Sequence, residues 1–384
     1  MAGTIEEFLA KREGEGLLRH LEPVSDRKGG RIRIGAREFM DFSSNDYLGL
    51  SGHPRLIEAA RRALDRFGAS SSASRLLSGD LEIHHQLEER VARFKNKDSA
   101  LIFNSGYQAN VGIISSLYGE GDLILSDRLN HASIIDGILL SGARSFRFRH
   151  NDPCHLEDIL RKERGRYKKA LIVTESLFSM DGDRTDLSAL ADLKERYGCE
   201  IMVDEAHATG IYGMNGSGVV EEEGLSDRID LIMGTFSKAL GSFGAYLAAP
   251  KGVIDYLINT CRSFMYSTSL PPSVIAADIA SLDLVKEEPE RRKTLLDNAA
   301  YFRDALREKG FTVKGSSQIV PLVVGDNFKV QEIARSLQDR GYWVLPIRPP
   351  TVPQGEARLR FSITYNHDRD ILKRLIDDIE EIGF

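Results

Sequence analysis

Cysteine is scarce in this 384-residue chain, and the three present, Cys154, Cys199 and Cys261, are widely separated and odd in number. That argues against a disulfide framework and fits a reducing compartment. None stands in a Cys-x-x-Cys pair, and no two of the nine histidines have His-x-x-x-His spacing, so no structural metal is expected. No apolar run approaches about 18 residues, the length a membrane-spanning helix requires. The opening Met1-Ala-Gly-Thr-Ile-Glu-Glu-Phe-Leu-Ala10 is acidic and lacks the apolar core of a secretory signal. Neither sign of charge is in large excess. Lys and Arg number 51 against 57 Asp and Glu, a net charge of −6, so there is no global basic field for nucleic acid. The expectation is a cytoplasmic protein with no nucleic-acid, membrane or metal partner.

The rest of the composition, 42% hydrophobic and 28% charged, is that of a soluble globular enzyme. The length predicts roughly two domains. Residues 4 to 21 read as an amphipathic helix capped by Thr4 and interrupted by Gly14 and Gly16, and Arg31 to Phe42 reads as a hairpin turning near Gly35. Pro54 opens a helix through Phe67. The small-residue segment Gly68 to Gly79 suits either a flexible linker or a loop packed along a cleft.

From Ala100 onward, short apolar strands alternate with helices: 100–103, 122–125, 145–148, 170–174, 200–203, 229–233 and 245–248 are the strands. Such alternation predicts an α/β fold with a mainly parallel central sheet covered by helices on both faces, with ligands at the carboxyl ends of the strands. After Pro271-Pro272 the pattern changes to long helices and a few strands. The expected organisation is an N-terminal helix and hairpin segment (1–45), a large cofactor-binding domain (46–275) and a smaller C-terminal α+β domain (276–384).

Strand ends deliver polar groups to one rim of this sheet. Lys238 follows the 229–233 strand and sits among Ser237, Ala239, Gly241, Ser242 and Gly244. Partial burial there would lower its pKa and make it a usable amine, able to form a Schiff base with a carbonyl group. Asp204 and His207 follow the 200–203 strand, Glu175 to Gly182 the 170–174 strand, and Ser126 to His131 the 122–125 strand. The turn Asn104-Ser-Gly-Tyr-Gln-Ala-Asn110 leads from a strand into a helix, a geometry that favours an anion. Taken singly, Lys238 could be a solvated loop lysine and Asp204 a helix cap or ion-pair partner. Together, an acid and a lysine on neighbouring strand ends fit pyridoxal 5′-phosphate. The lysine holds its aldehyde, the acid keeps its ring nitrogen protonated, His131 can cover a ring face, and Ser105-Gly106-Tyr107, Thr235 and Ser237 offer phosphate donors.

The chain resembles the α-oxoamine synthases, pyridoxal-phosphate enzymes of the aspartate-aminotransferase fold (fold type I). The resemblance runs through Ser44-Asn-Asp-Tyr-Leu-Gly-Leu50, Ser105-Gly-Tyr-Gln-Ala-Asn110, Ser126 to Ser133, Glu175-Ser-Leu-Phe-Ser-Met-Asp-Gly-Asp183, Asp204-Glu-Ala-His207, Thr235-Phe-Ser-Lys238 and Tyr266-Ser-Thr-Ser-Leu-Pro-Pro272. It implies that Lys238 is the cofactor anchor and acid–base group, that Asp204 pairs with the ring nitrogen, that His207 and Ser179 approach the ring hydroxyl, and that His131 stacks on the ring. It further implies that Gly106 and Tyr107 offer backbone N–H groups and that Thr235 binds the phosphate, helped by Ser267 and Thr268 of a second subunit in a homodimer. Arg360 would take the amino-acid carboxylate bidentately. Arg19, Asn45 and Thr351 would line the acyl-donor side, although Arg19 also reads as an ordinary exposed helix arginine and Asn45 as a turn residue. Within the family, Ile347-Arg-Pro-Pro-Thr-Val-Pro-Gln-Gly-Glu-Ala-Arg-Leu-Arg360 resembles members that join L-alanine to pimeloyl-CoA or pimeloyl-acyl carrier protein. The alternative is a member that joins glycine to acetyl-CoA. One departure is Ser70-Ser-Ser-Ala-Ser74, where relatives carry more glycine.

Overall fold

A computed structural model describes residues 2–383. The chain divides into two compact units, residues 50–178 with 184–292, and residues 1–49 with 179–183 and 293–384.

The first of these carries a seven-stranded sheet: β1 (Ser99–Phe103), β2 (Leu123–Asp127), β3 (Arg144–Phe148), β4 (Ala170–Glu175), β5 (Glu200–Asp204), β6 (Leu231–Thr235) and β7 (Ala245–Ala249). Their spatial order is β1-β7-β6-β5-β4-β2-β3. All neighbours pair in parallel except β7, which is antiparallel to both β1 and β6. The expected mainly parallel α/β sheet is therefore present. β2, β4, β6 and β7 are buried along their whole length, which is why they read as unbroken apolar runs rather than alternating ones. Ile113 and Ile114, from the helix Gly106–Leu117, share a buried cluster with Leu101, Leu171, Met202, Met233 and Leu247 from five strands. Burying each such side chain contributes about 1.5–3 kcal/mol, so the strand ends stand on a rigid base.

The Gly68–Gly79 segment is a packed loop of this unit, not a flexible linker. Ser71 Oγ donates to Leu270 O at 2.6 Å, Ser269 N donates to Ala73 O at 3.1 Å, and Arg75 forms a bidentate pair with Glu88 at 2.9 and 3.0 Å. Ser72 holds the left-handed conformation, φ 61°, that glycine adopts freely.

The second unit contains a four-stranded sheet, of strands Val24–Lys28, Arg31–Ile34, Arg37–Asp41 and Tyr342–Trp343. Its three-stranded sheet has Ala357–Ser362 between Ile319–Gly325 and Pro346–Ile347. The hairpin expected from Arg31 is present. The N-terminal helix differs from expectation: it spans Ala2–Gly14, so Thr4 lies inside it, and it ends well short of residue 21. Gly16 explains the stop, because at φ 65° it leaves the helical region. Phe311 to Val313 forms no strand, only a single bridge from Val313 to Leu322.

Candidate active site

Three carboxylates and a threonine end the central parallel strands: Asp127 on β2, Glu175 on β4, Asp204 on β5 and Thr235 on β6. All four residues are buried. Lys238 follows β6 by three residues and is half-buried, and its Nζ lies 3.0 Å from His207 Nε2. The lysine is thus partly buried at this rim, and its neighbour there is His207.

Asp204 is satisfied on both oxygens. Oδ1 accepts the backbone N–H of Ala206 at 2.9 Å, and Oδ2 accepts Asn110 Nδ2 at 2.9 Å. Asn110 also donates to Ser133 Oγ at 2.9 Å, and Ser133 Oγ lies 2.8 Å from His131 Nδ1. The backbone N–H of Ser133 points at the same Nδ1. Nδ1 is therefore an acceptor, which puts the proton of the neutral imidazole on Nε2. Close packing lowers the pKa of His131; the charge of Asp204 opposes this and that of Lys238 adds to it. His131 is an exposed residue, with the Tyr107 ring T-shaped to its own at 6.4 Å. The Tyr107 hydroxyl donates to Asp136.

The turn after Asp204 is pinned from below by a buried ion pair. Lys95 Nζ lies 2.7 Å from Glu205 Oε2, with both side chains almost fully buried. Thr209 Oγ1 sits 3.2 Å from Lys95 Nζ and 2.9 Å from the Tyr246 hydroxyl. Such a pair is costly to break singly, because a buried charge is left behind. Nothing local marks Lys95 in the sequence, since its partners lie at least 110 positions away.

Thr235 and Gly106 test whether these residues fit a phosphate-bearing cofactor. Thr235 Oγ1 is buried without a hydrogen-bond partner, an unusual state for a hydroxyl. Gly106 opens the helix Gly106–Leu117, capped by Ser105, and a Cβ there would come within 3.0 Å of Thr235 Cγ2. Its first N–H groups have no acceptor within the helix. An unmet hydroxyl beside a glycine-lined helix start suits a phosphate, so the donor set fits. Ser267 Oγ accepts from Gln108 in this same helix at 2.9 Å, and Thr268 O accepts from Asn104 at 2.7 Å.

The other unit gathers the remaining candidates into two places. Arg360, buried, donates through Nε to Ser179 O at 2.5 Å and through Nη1 to Ser362 Oγ at 2.8 Å; Asn45 Oδ1 and the Tyr47 hydroxyl each lie 3.3 Å from Nη2. Arg19 donates to Thr351 Oγ1 at 2.9 Å, and both side chains are exposed. Arg19 stands outside the N-terminal helix, which corrects its reading as a helix arginine. Sequence reasoning gave no role to Asn110, Ser133 or Glu175, although all three lie inside stretches that carry the family resemblance.

Fold and rim together define a class, and comparison with known proteins agrees with it. The family model described as aminotransferase class I and II matches residues 37–379, and the chain belongs to that family. Among curated proteins, it is 49% identical over 383 residues to the 8-amino-7-oxononanoate synthase of Geotalea daltonii, covering 99% of this chain and 98% of that protein. It is 50% identical over 387 residues to the 8-amino-7-oxononanoate synthase of Geobacter sulfurreducens, covering 100% and 98%. Among solved structures, Sphingomonas wittichii serine palmitoyltransferase superposes with a TM-score of 0.93 at 31% identity, covering 99% of this chain and 97% of that one. A structure of SPT with PLP superposes with a TM-score of 0.93 at 30% identity, covering 100% and 98%.

Proposed function

We propose that the chain catalyses the decarboxylative condensation of L-alanine with pimeloyl-CoA or pimeloyl-acyl carrier protein. The products are 8-amino-7-oxononanoate, CO2 and the free carrier thiol, a step of biotin biosynthesis. The observation that carries this reading is the rim itself: Lys238 beside His207 at 3.0 Å, with Asp204 fixed at the end of the neighbouring strand. Relatives near 50% identity over the whole chain support the choice of reaction.

When bound at Lys238, pyridoxal phosphate supplies an electron sink for the charge left at the amino-acid Cα after loss of a proton or of CO2. The residues divide the remaining work. Lys238 would anchor the cofactor aldehyde and, once released, move the proton at Cα. Asp204, with a donor on each oxygen, would keep a proton on the ring nitrogen. His131 would cover one face of the ring, and its neutral Nε2–H tautomer would leave one donor free to orient substrate oxygen. His207 and Ser179 serve the ring hydroxyl. Thr235, with the N–H groups of Gly106 and Tyr107, holds the phosphate. Arg360 takes the alanine carboxylate, because its fork matches two oxygens. Arg19, Asn45 and Thr351 serve the acyl donor. The working assembly is a homodimer in which Ser267 and Thr268 serve the phosphate of the second copy.

A donor panel tests the reaction. Alanine and glycine are each paired with pimeloyl-CoA, pimeloyl-acyl carrier protein and acetyl-CoA, and CO2 release is measured. The expected result is stoichiometric CO2 from alanine only when a pimeloyl thioester is supplied. Preference for glycine with acetyl-CoA would overturn the assignment, as would CO2 release without a thioester.

A further inference from the structure

Glu175 ends β4 and has no part in the reaction as described above. It is buried and stands opposite Asp204 in the parallel register of β4 and β5. Its Oε1 accepts the backbone N–H of His131 at 2.6 Å. This bond closes a circuit. His131 Nδ1 meets Ser133 Oγ, Asn110 joins Ser133 to Asp204, Asp204 faces Glu175 across the sheet, and Glu175 returns to His131. The circuit ties together the connections that follow β1, β2, β4 and β5. It fixes an imidazole and a carboxylate relative to each other, and those are the two groups assigned to the ring face and the ring nitrogen.

Two buried carboxylates at adjoining strand ends do not both stay charged cheaply. Asp204 has a side-chain amide and a backbone N–H to stabilise its charge, whereas Glu175 receives one backbone N–H. The proton therefore belongs on Glu175. Burial, and then the charge of Asp204, push the Glu175 carboxyl up to about 8; Lys238 and the His131 N–H oppose the rise, and Asp127 adds to it.

We propose that Glu175 is a positioning residue that works as a neutral carboxylic acid, fastening the backbone under His131 while leaving Asp204 the single anion at the ring nitrogen. This rests on pyridoxal phosphate being held at Lys238. The neutral form makes a specific demand: an amide should replace it, because a glutamine carbonyl accepts the His131 N–H equally well and carries no charge.

Glu175→Gln and Glu175→Leu are compared with the wild type. In the holoenzyme, Glu175→Gln should keep kcat within about twofold and keep the near-visible absorbance of the lysine-bound cofactor with its pH midpoint. Glu175→Leu, which lacks the acceptor, should lose about tenfold in kcat with a smaller change in KM and a displaced absorbance band. The proposal is overturned if Glu175→Gln is as impaired as Glu175→Leu, or if Glu175→Leu matches the wild type. A second readout uses the full chain without cofactor. Between the ordinary carboxyl value of 4.5 and about 8, folded wild type keeps a proton that the unfolded chain releases, so its stability should fall with rising pH relative to Glu175→Gln. Parallel stability curves would overturn the neutral form, and this comparison stands even if Glu175→Leu does not fold. Wild type that fails to bind pyridoxal phosphate would defeat the functional reading instead, and the cofactor-free comparison would still decide the state of Glu175.

Discussion

Asp204 and Arg19 are held in opposite ways. Asp204 is buried, each of its oxygens has a donor, and one of those donors belongs to a chain of side chains running through Asn110 and Ser133 to His131. Arg19 is exposed and makes one hydrogen bond, to an equally exposed Thr351. The first arrangement is set before any ligand arrives, so its electrostatics cost no reorganisation during the reaction. The second must lose side-chain freedom when a ligand is bound, and water screens it meanwhile. Under the proposed function, charge at the reacting atoms would be handled by a prebuilt frame, and recognition of a distant part of the substrate would be left to groups that can adapt.

The contrast breaks most sharply at Lys238. Lys238→Ala should abolish the near-visible absorbance of the bound cofactor and lower kcat by about 10³-fold or more; an unchanged spectrum would remove Lys238 from the chemistry. Asp204→Asn keeps the shape and loses the charge. It should lower kcat by about 10²-fold while the cofactor stays bound, as measured by spectral titration and steady-state rates. Wild-type kcat in that variant would dissolve the distinction between frame and adaptable contact. Arg360→Lys should raise KM for alanine by about tenfold with a smaller fall in kcat, because a point charge replaces a bidentate fork. At the weak end, Arg19→Ala should raise KM for the pimeloyl donor by only about threefold, in keeping with the small worth of exposed polar contacts. A loss at Arg19 as large as that at Asp204 would show that the exposed pair is as firmly organised in the complex as the buried frame.

Much of this frame could be read before any coordinates, and the reason is local. Strands buried on both faces leave unbroken apolar runs, so Ala170–Glu175 and Leu231–Thr235 announce themselves, and the polar residue closing each run marks the rim. Asp204 closes such a run, and Lys238, His207 and His131 each follow one within a few residues. The same signal places Glu175 at the rim but not its partner, and it marks neither Asn110 nor Ser133, because what distinguishes these contacts is a separation of 44, 94 and 23 positions. The strand Val24–Lys28 also left no trace. It is exposed at every position, so no alternation of apolar and polar residues records it. Apolar residues recur beyond Gly14, so the sequence implies a longer first helix than the one that forms, which stops where the backbone turns away at Gly16.

The loop that carries Ser72 has a consequence for how this unit opens. Ser71 is bonded to Leu270 and Ala73 to Ser269, so residues 70–73 and 269–270 share their hydrogen bonds across nearly two hundred positions of sequence. Neither segment can detach without freeing the other, which makes them one cooperative opening unit. Their amides should exchange with solvent deuterium at a common rate, faster than those of the buried β4. Ser267 and Thr268 lie at the edge of that unit, so the grip on a phosphate would loosen through a local breathing motion long before the sheet itself comes apart.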